Sequence, residues 1–167
     1  MNSVTIREFI PADSADDKNT LLSAFLETWN ATENLQYLSF TLKPFGEDTV
    51  RTWLGTHKEQ GVRYFCAVRE EGDILGIVVV KDNPVDGFEL YGVGVRPDFQ
   101  RKGIGRKLIE HVIHLAETLG FKDVGSSVFA DNAVMLRLLI SFHFVLVGME
   151  YHKRADGADI VHMKLYL

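Results

Sequence analysis

Val93–Arg106 reads VGVRPDFQRKGIGR, and what this stretch joins decides the fold. Before it, Phe88–Val95 (FELYGVGV) has the β-branched and aromatic usage of a strand. Pro97 ends that strand, because proline cannot donate to a ladder. After it, Ile104, Leu108, Val112, Leu115, Ala116 and Leu119 recur at helical spacing, which predicts a long amphipathic helix over Gly103–Leu119 closed by Gly120. The first turn of a helix leaves its amides unpaired and carries the positive end of the helix dipole. Gly103 and Gly105 remove Cβ atoms at that turn, and Arg101, Lys102 and Arg106 add charge. The ligand expected at Gln100–Arg106 is therefore a phosphate or pyrophosphate. No GxxxxGK[ST] loop is present, and Gly103-Ile104-Gly105 continues as Arg106-Lys107-Leu108, so the stretch is neither a P-loop nor a GxGxxG fingerprint.

Upstream, Val4–Ile10 alternates as a strand, and Asp13-Ser14 can cap a helix over Ala15–Ala31 whose inner face holds Leu21, Leu22, Phe25, Leu26 and Trp29. Residues 32–46 read as a mixed aromatic loop, and Glu47–Glu59 as a second helix stopped by Gly61. Arg63–Glu70 and Ile74–Lys81 are strands joined by a turn, followed by Phe88–Val95. Downstream, Lys122–Ala130 is a strand, Asp131-Asn132 caps a buried helix over Ala133–Phe142, and two last strands flank the hairpin signal Asp156-Gly157. The order β-α-α-β-β-β-α-β-α-β-β, without repeat or linker, gives one α/β domain.

The chain has 167 residues, a length that buries a core without staples. No apolar run is long enough to span a membrane, and the N-terminus lacks a secretory pattern. Cys66 is the only cysteine, so the expected location is the reducing cytoplasm. The net charge of −5 argues against general nucleic-acid binding. Within that acidic chain, Arg96–Lys107 places five basic residues against one acid, Asp98.

Val93–Leu108 resembles the acetyl-CoA-binding motif of the GNAT superfamily of N-acetyltransferases, Gln/Arg-x-x-Gly-x-Gly/Ala after a strand ending V-x-P. The order of elements resembles that family over most of the chain. The resemblance implies a GNAT-like α/β fold, with a central, mixed, mostly antiparallel sheet of about seven strands flanked by about four helices. It implies acetyl-CoA as acyl donor, with Gln100, Arg101, Lys102, Gly103, Ile104, Gly105 and Arg106 holding its pyrophosphate. Val93, Gly94 and Val95 would lie beside the pantetheine arm on a strand splayed from its neighbour, a distortion that Gly92 and Gly94 suit. Asn132 matches the asparagine that commonly meets CoA near the next helix.

Glu89 stands eight residues before Pro97, where many relatives place an acid, and is the general-base candidate for the attacking amine. The usual tyrosine seven residues after the asparagine is here Leu139, so the proton for the leaving thiolate comes from elsewhere, from water, or is not needed; Tyr91 and Tyr151 are the candidate substitutes. The glycine usual before the closing Phe144 is here His143. The expected activity is direct acetyl transfer to a primary amine of a small molecule or protein, with the amine attacking the thioester in a ternary complex. A backbone N–H near Val93 would polarise its carbonyl. The acceptor is left open, and a homodimer is compatible with the reading.

The rivals are a non-catalytic acyl-CoA-binding sensor on the same fold and a nucleotide-binding regulatory domain. His111 and His114 have a metal-like spacing but no third ligand, and read as a solvated face, so no metal is expected. Cys66 reads as a small core residue. Trp29, Trp53, Tyr37, Phe40 and Phe45 could line an acceptor pocket. The tryptophans fit core packing equally well, and the Tyr37–Phe45 loop is the better pocket candidate.

Overall fold

The computed structural model describes residues 3–167. One seven-stranded sheet runs in the order β1-β2-β3-β4-β5-β7-β6, formed by β1 (Val4–Phe9), β2 (Val62–Arg69), β3 (Ile74–Asn83), β4 (Gly87–Val95), β5 (Asp123–Phe129), β6 (Val145–Glu150) and β7 (Ile160–Tyr166). Among the described residues, only the β4–β5 pair is parallel. The neighbouring pairs are antiparallel.

Two apolar clusters cover the two faces. On one face, α1 (Ala15–Trp29) and α3 (Glu47–Thr56) bury Leu21, Phe25, Val50 and Leu54 against Cys66 and Ile77. On the other, α4 (Ile104–Thr118) buries Leu108, Ile109 and Val112 against Val78, Val80 and Leu90, joined by Leu139 of α5 (Ala133–Ser141). Ile74–Val80 is buried throughout because it is covered on both sides, which is why it reads as a continuous apolar run. Burying one such leucine contributes about 1.5–3 kcal/mol.

The caps match their residue types. Ser14 Oγ accepts from the Asp17 amide at 3.1 Å. The α4 helix ends in a Schellman motif, with the Phe121 amide on the Ala116 carbonyl and Gly120 at φ +81°. The α5 helix ends the same way: Phe144 N–H reaches the Leu139 carbonyl at 3.1 Å, and His143 sits at φ +69°. The glycine expected at that position would meet a real backbone requirement, which His143 meets with strain.

Three boundaries differ from the sequence reading. The segment expected to be loop contains α2 (Thr32–Leu38), which makes five helices rather than about four. None of its residues is buried and Ala31 makes no side-chain cap, so it offers neither apolar period nor start signal. Tertiary ties hold it instead. Asn34 Nδ2 donates to the carbonyls of Thr28 and Val95 at 2.8 and 2.9 Å, and the buried Arg154 donates to the Gln36 carbonyl at 2.7 Å. The second expected helix tightens at His57–Gln60 into a 3₁₀ turn ended by Gly61 at φ +75°. The last two strands are joined not by a tight hairpin at Asp156-Gly157 but by a longer loop over residues 151–159, in which Arg154 binds Asp131 and Asp156. Among the described residues, no helix is long and apolar enough to cross a membrane.

Candidate active site

The site begins with one extra residue in β4. Val79 pairs with Gly92 and Val80 with Leu90, so Tyr91 is a bulge. Beyond it the parallel pairing with β5 stops: Phe88, Glu89 and Leu90 match Val124, Gly125 and Ser126, and no further pair forms. The two strands part into a gap. Asn34 Nδ2 and Gln100 Nε2 both donate to the Val95 carbonyl, on the edge away from β3. Backbone groups of residues two apart in a strand point the same way, so Val93 also presents its N–H and C=O to the gap.

At the open end of the gap lies the basic loop. Arg101 (φ +58°) and Gly103 (φ +81°) both take the left-handed conformation, which turns the chain sharply into α4. Among the described residues, the amides of Arg101 through Arg106 meet no protein acceptor; the first bond of the helix is Lys107 N–H to the Gly103 carbonyl. Gln100 Nε2 also donates to Asn34 Oδ1 at 2.9 Å, which ties the loop to α2.

The gap opens into a cleft of about 1320 Å³. Its lining includes Glu89, Tyr91, Val93, Val95, Gln100, Arg101, Gly103, Gly105, Arg106 and Asn132. Gly94, Lys102 and Ile104 do not line it. Gly94 faces α1, where a Cβ would lie 2.8 Å from the Trp29 ring and 2.9 Å from Thr28 Cγ2. This glycine lets the helix approach the strand. Lys102 folds back to the Asp98 carbonyl at 2.8 Å, and Ile104 is buried in the core. Arg106 donates to Ser141 Oγ at 2.9 Å and lies over the Phe142 ring. Asn132 caps α5 through Oδ1, which accepts from the Met135 amide at 3.1 Å.

Glu89 is exposed in the cleft, with no ion pair among the described residues. Gly125 leaves room for it, since a Cβ there would stand 3.3 Å from Glu89 Cγ. Tyr91 is 62% exposed, whereas Tyr151 is not part of the lining. Leu139 is fully buried in the core, so no proton donor stands at its place.

Tyr37, Phe40 and Phe45 border the other side of the cleft, together with Trp29 and Trp53. The tryptophans also pack: Trp29 stacks on Phe25 with ring centroids 4.3 Å apart, and Trp53 meets Phe45 edge-on. Behind them His57 hydrogen-bonds the buried Tyr64 hydroxyl, and burial lowers the His57 pKa and raises that of Tyr64.

Burial also pushes the Cys66 thiol up, away from thiolate chemistry. His111 is not on a solvated face. It packs against the Phe65 ring, its Nε2 is buried without a partner, and burial lowers its pKa. No group of three or more metal-ligating side chains occurs among the described residues.

Sequence reasoning missed several residues of the site. Asn34 and Arg154 organise its walls through partners distant in the chain. Ser127, His162 and Glu150 come together across β5, β7 and β6 and line the cleft. Their only sequence signal is alternation, which places Ser127 and His162 on one side of their strands without showing that the strands are neighbours.

Residues 25–144 match the model of the acetyltransferase (GNAT) family. The ribosomal protein bS18-alanine N-acetyltransferase of Salmonella typhimurium strain LT2 is 32% identical over 102 residues, which is 60% of this chain and 69% of the relative. An N-acetyltransferase from Staphylococcus aureus Mu50 superposes with a TM-score of 0.76 over 98% of both chains at 21% identity. A Salmonella typhimurium protein solved with its cofactor acetyl-CoA superposes with a TM-score of 0.71 over 99% of this chain and 94% of its own, at 24% identity. The match runs from the last turn of α1 through α5, and with them the bulged strand and the basic loop, so the chain belongs to the acetyltransferase (GNAT) family and is an N-acetyltransferase.

Proposed function

We propose that the cleft takes acetyl-CoA along the β4 edge and an amine from the Tyr37–Phe45 side, and that acetyl passes directly between them. The observation that carries this reading is the run of unpaired amides from Arg101 to Arg106 at the open end of the splayed strands. These residues fit a diphosphate. The amides converge at a helix start with no acid in its first turn, and Arg101 and Arg106 stand beside them. Gly103 supplies the left-handed turn, and Gly105 keeps the approach clear. Among the described residues Asn132 Nδ2 has no partner, which leaves it for the same ligand while Oδ1 caps α5.

When bound, acetyl-CoA supplies an activated thioester. The chain orients and polarises it: Val93 N–H, facing the gap, is placed to donate to the carbonyl oxygen. A protonated amine cannot attack, and the Glu89 carboxylate is placed to take its proton, directly or through a water. Cys66, buried in the other cluster, takes no part. The acceptor to try first is a protein α-amine, since the relative described above acts on the alanine of a ribosomal protein. The single buried cysteine suits the cytoplasm as the place of reaction.

The test is thiol release from acetyl-CoA with an amine panel that contains an N-terminal alanine peptide. Release that depends on amine supports the reading. Binding of acetyl-CoA without release on any amine contradicts it.

A further inference from the structure

Leu139 leaves the reaction without its usual proton donor, and the structure holds a hydrogen-bonded row in the same cleft that no motif announces. Ser127 Oγ lies 2.9 Å from His162 Nδ1, and His162 Nε2 lies 2.8 Å from Glu150 Oε1. Lys153 Nζ meets the other Glu150 oxygen at 2.5 Å. All four residues line the cleft.

The sheet register places this row relative to Glu89. Glu89 pairs with Gly125, and paired residues share a face. Ser127 is two residues on, hence on that same face, about 6.6 Å further along the strand. His162 is the β7 partner of Ser127 and shares its face as well. Ser127 is therefore at the point where β5 leaves β4, across from the Tyr91 bulge, and lines the cleft there.

The protonation pattern follows from the partners. Lys153, then His162, hold the Glu150 carboxyl below the usual carboxylate range. An ionised carboxylate only accepts, so His162 Nε2 carries a proton. A second proton at Nδ1 makes the ring a donor to Ser127 Oγ and turns the serine O–H into the cleft.

We propose that Ser127 is the general acid of the transfer and that His162, positioned by Glu150, resupplies its proton. This rests on the acetyl-transfer reading above. As the carbon–sulfur bond breaks, the thiolate takes the Ser127 hydroxyl proton and the serine oxygen takes the Nδ1 proton. His162 is left neutral, with Nε2–H still on Glu150, and solvent returns the second proton. Tyr91, whose hydroxyl has no protein partner among the described residues, has no such supply. The charged groups around His162 are Glu150 and Lys153. Lys164, two residues along β7, is engaged with Asp123 at 3.2 Å.

The experiment measures kcat and the KM for acetyl-CoA across pH for the wild type, Ser127→Ala, Glu150→Gln and Tyr91→Phe. Ser127→Ala lowers kcat by about 10²-fold, a usual size for a lost general acid, with KM little changed. Glu150→Gln lowers kcat with the KM for acetyl-CoA little changed, and has no effect in the Ser127→Ala background, a pattern that a merely structural loss would not produce. Ser127→Ala turning over at the wild-type rate at every pH overturns the relay alone. Loss of kcat in Tyr91→Phe but not in Ser127→Ala does the same. Acetyl-CoA binding with no wild-type turnover on any amine overturns the transfer reading and the relay with it.

Discussion

Phe88, Glu89 and Leu90 of β4 lie in register with Val124, Gly125 and Ser126 of β5, whereas Tyr91–Val95 and Ser127–Phe129 of the same two strands form no pairs with each other. The paired half is sheet core: Phe88, Leu90 and Val124 are buried in one apolar cluster. The unpaired half lines the cleft. The break between them falls at a single inserted residue, Tyr91. A bulge rotates and bends the strand that carries it. Here it converts a ladder into an open edge, with Glu89 one rung before the last closed pair, Leu90–Ser126, and the basic loop at the far end.

The comparison breaks most severely if the far end is closed to anions. Gly105→Asp puts a carboxylate beside the amides of the loop. A like charge within about 4 Å of a phosphate, at an effective dielectric near 20, costs about 4 kcal/mol, or about 10³-fold in affinity for acetyl-CoA by calorimetric titration. An acid in the first turn suits the helix dipole, so thermal unfolding should show an intact fold. Next in size is the paired half. Glu89→Gln should leave acetyl-CoA affinity unchanged and lower kcat by about 10²-fold in steady-state assays, since a lost general base typically costs that much.

A smaller effect belongs to the way the open half is supported from below. Gly94→Ala drives a Cβ into the Trp29 ring, which is itself stacked on Phe25 and cannot easily move. Overpacking of that kind destabilises by about 1–3 kcal/mol. The loss should appear in urea unfolding, and Gly92→Ala should be milder because its Cβ would stand 3.4 Å from the same ring. The smallest change runs the other way. His143→Gly relieves the left-handed strain at the end of α5 but loosens the unfolded chain, so the net gain is about 0.5–1 kcal/mol, a rise of about 1–4 °C in Tm by calorimetry.

Much of this architecture was legible before any coordinates. The sheet, the α4 helix and the basic loop each carry a local signal: β-branched runs, a 3.6-residue apolar period, and glycines at a strand-to-helix turn. The bulge is less local. Gly92 and Gly94 hint at distortion, but Gly94 proves to serve helix packing, and the inserted residue is the tyrosine between them and Leu90. Helix α2 and the Ser127–His162–Glu150 row were not legible, because what holds each together lies across the sheet or over a hundred residues away, as Arg154 does from Gln36. His111 reads as solvated because it and His114 stand opposite the apolar stripe of α4, whereas the ring it meets, Phe65, comes from strand β2.

The account turns on the amides of Arg101–Arg106. A crystal structure of the protein with acetyl-CoA bound tests them directly. The expected result has the diphosphate oxygens within hydrogen-bond distance of those amides and the pantetheine arm along Val93. Coenzyme lodged elsewhere, with the loop amides facing only solvent, would contradict it.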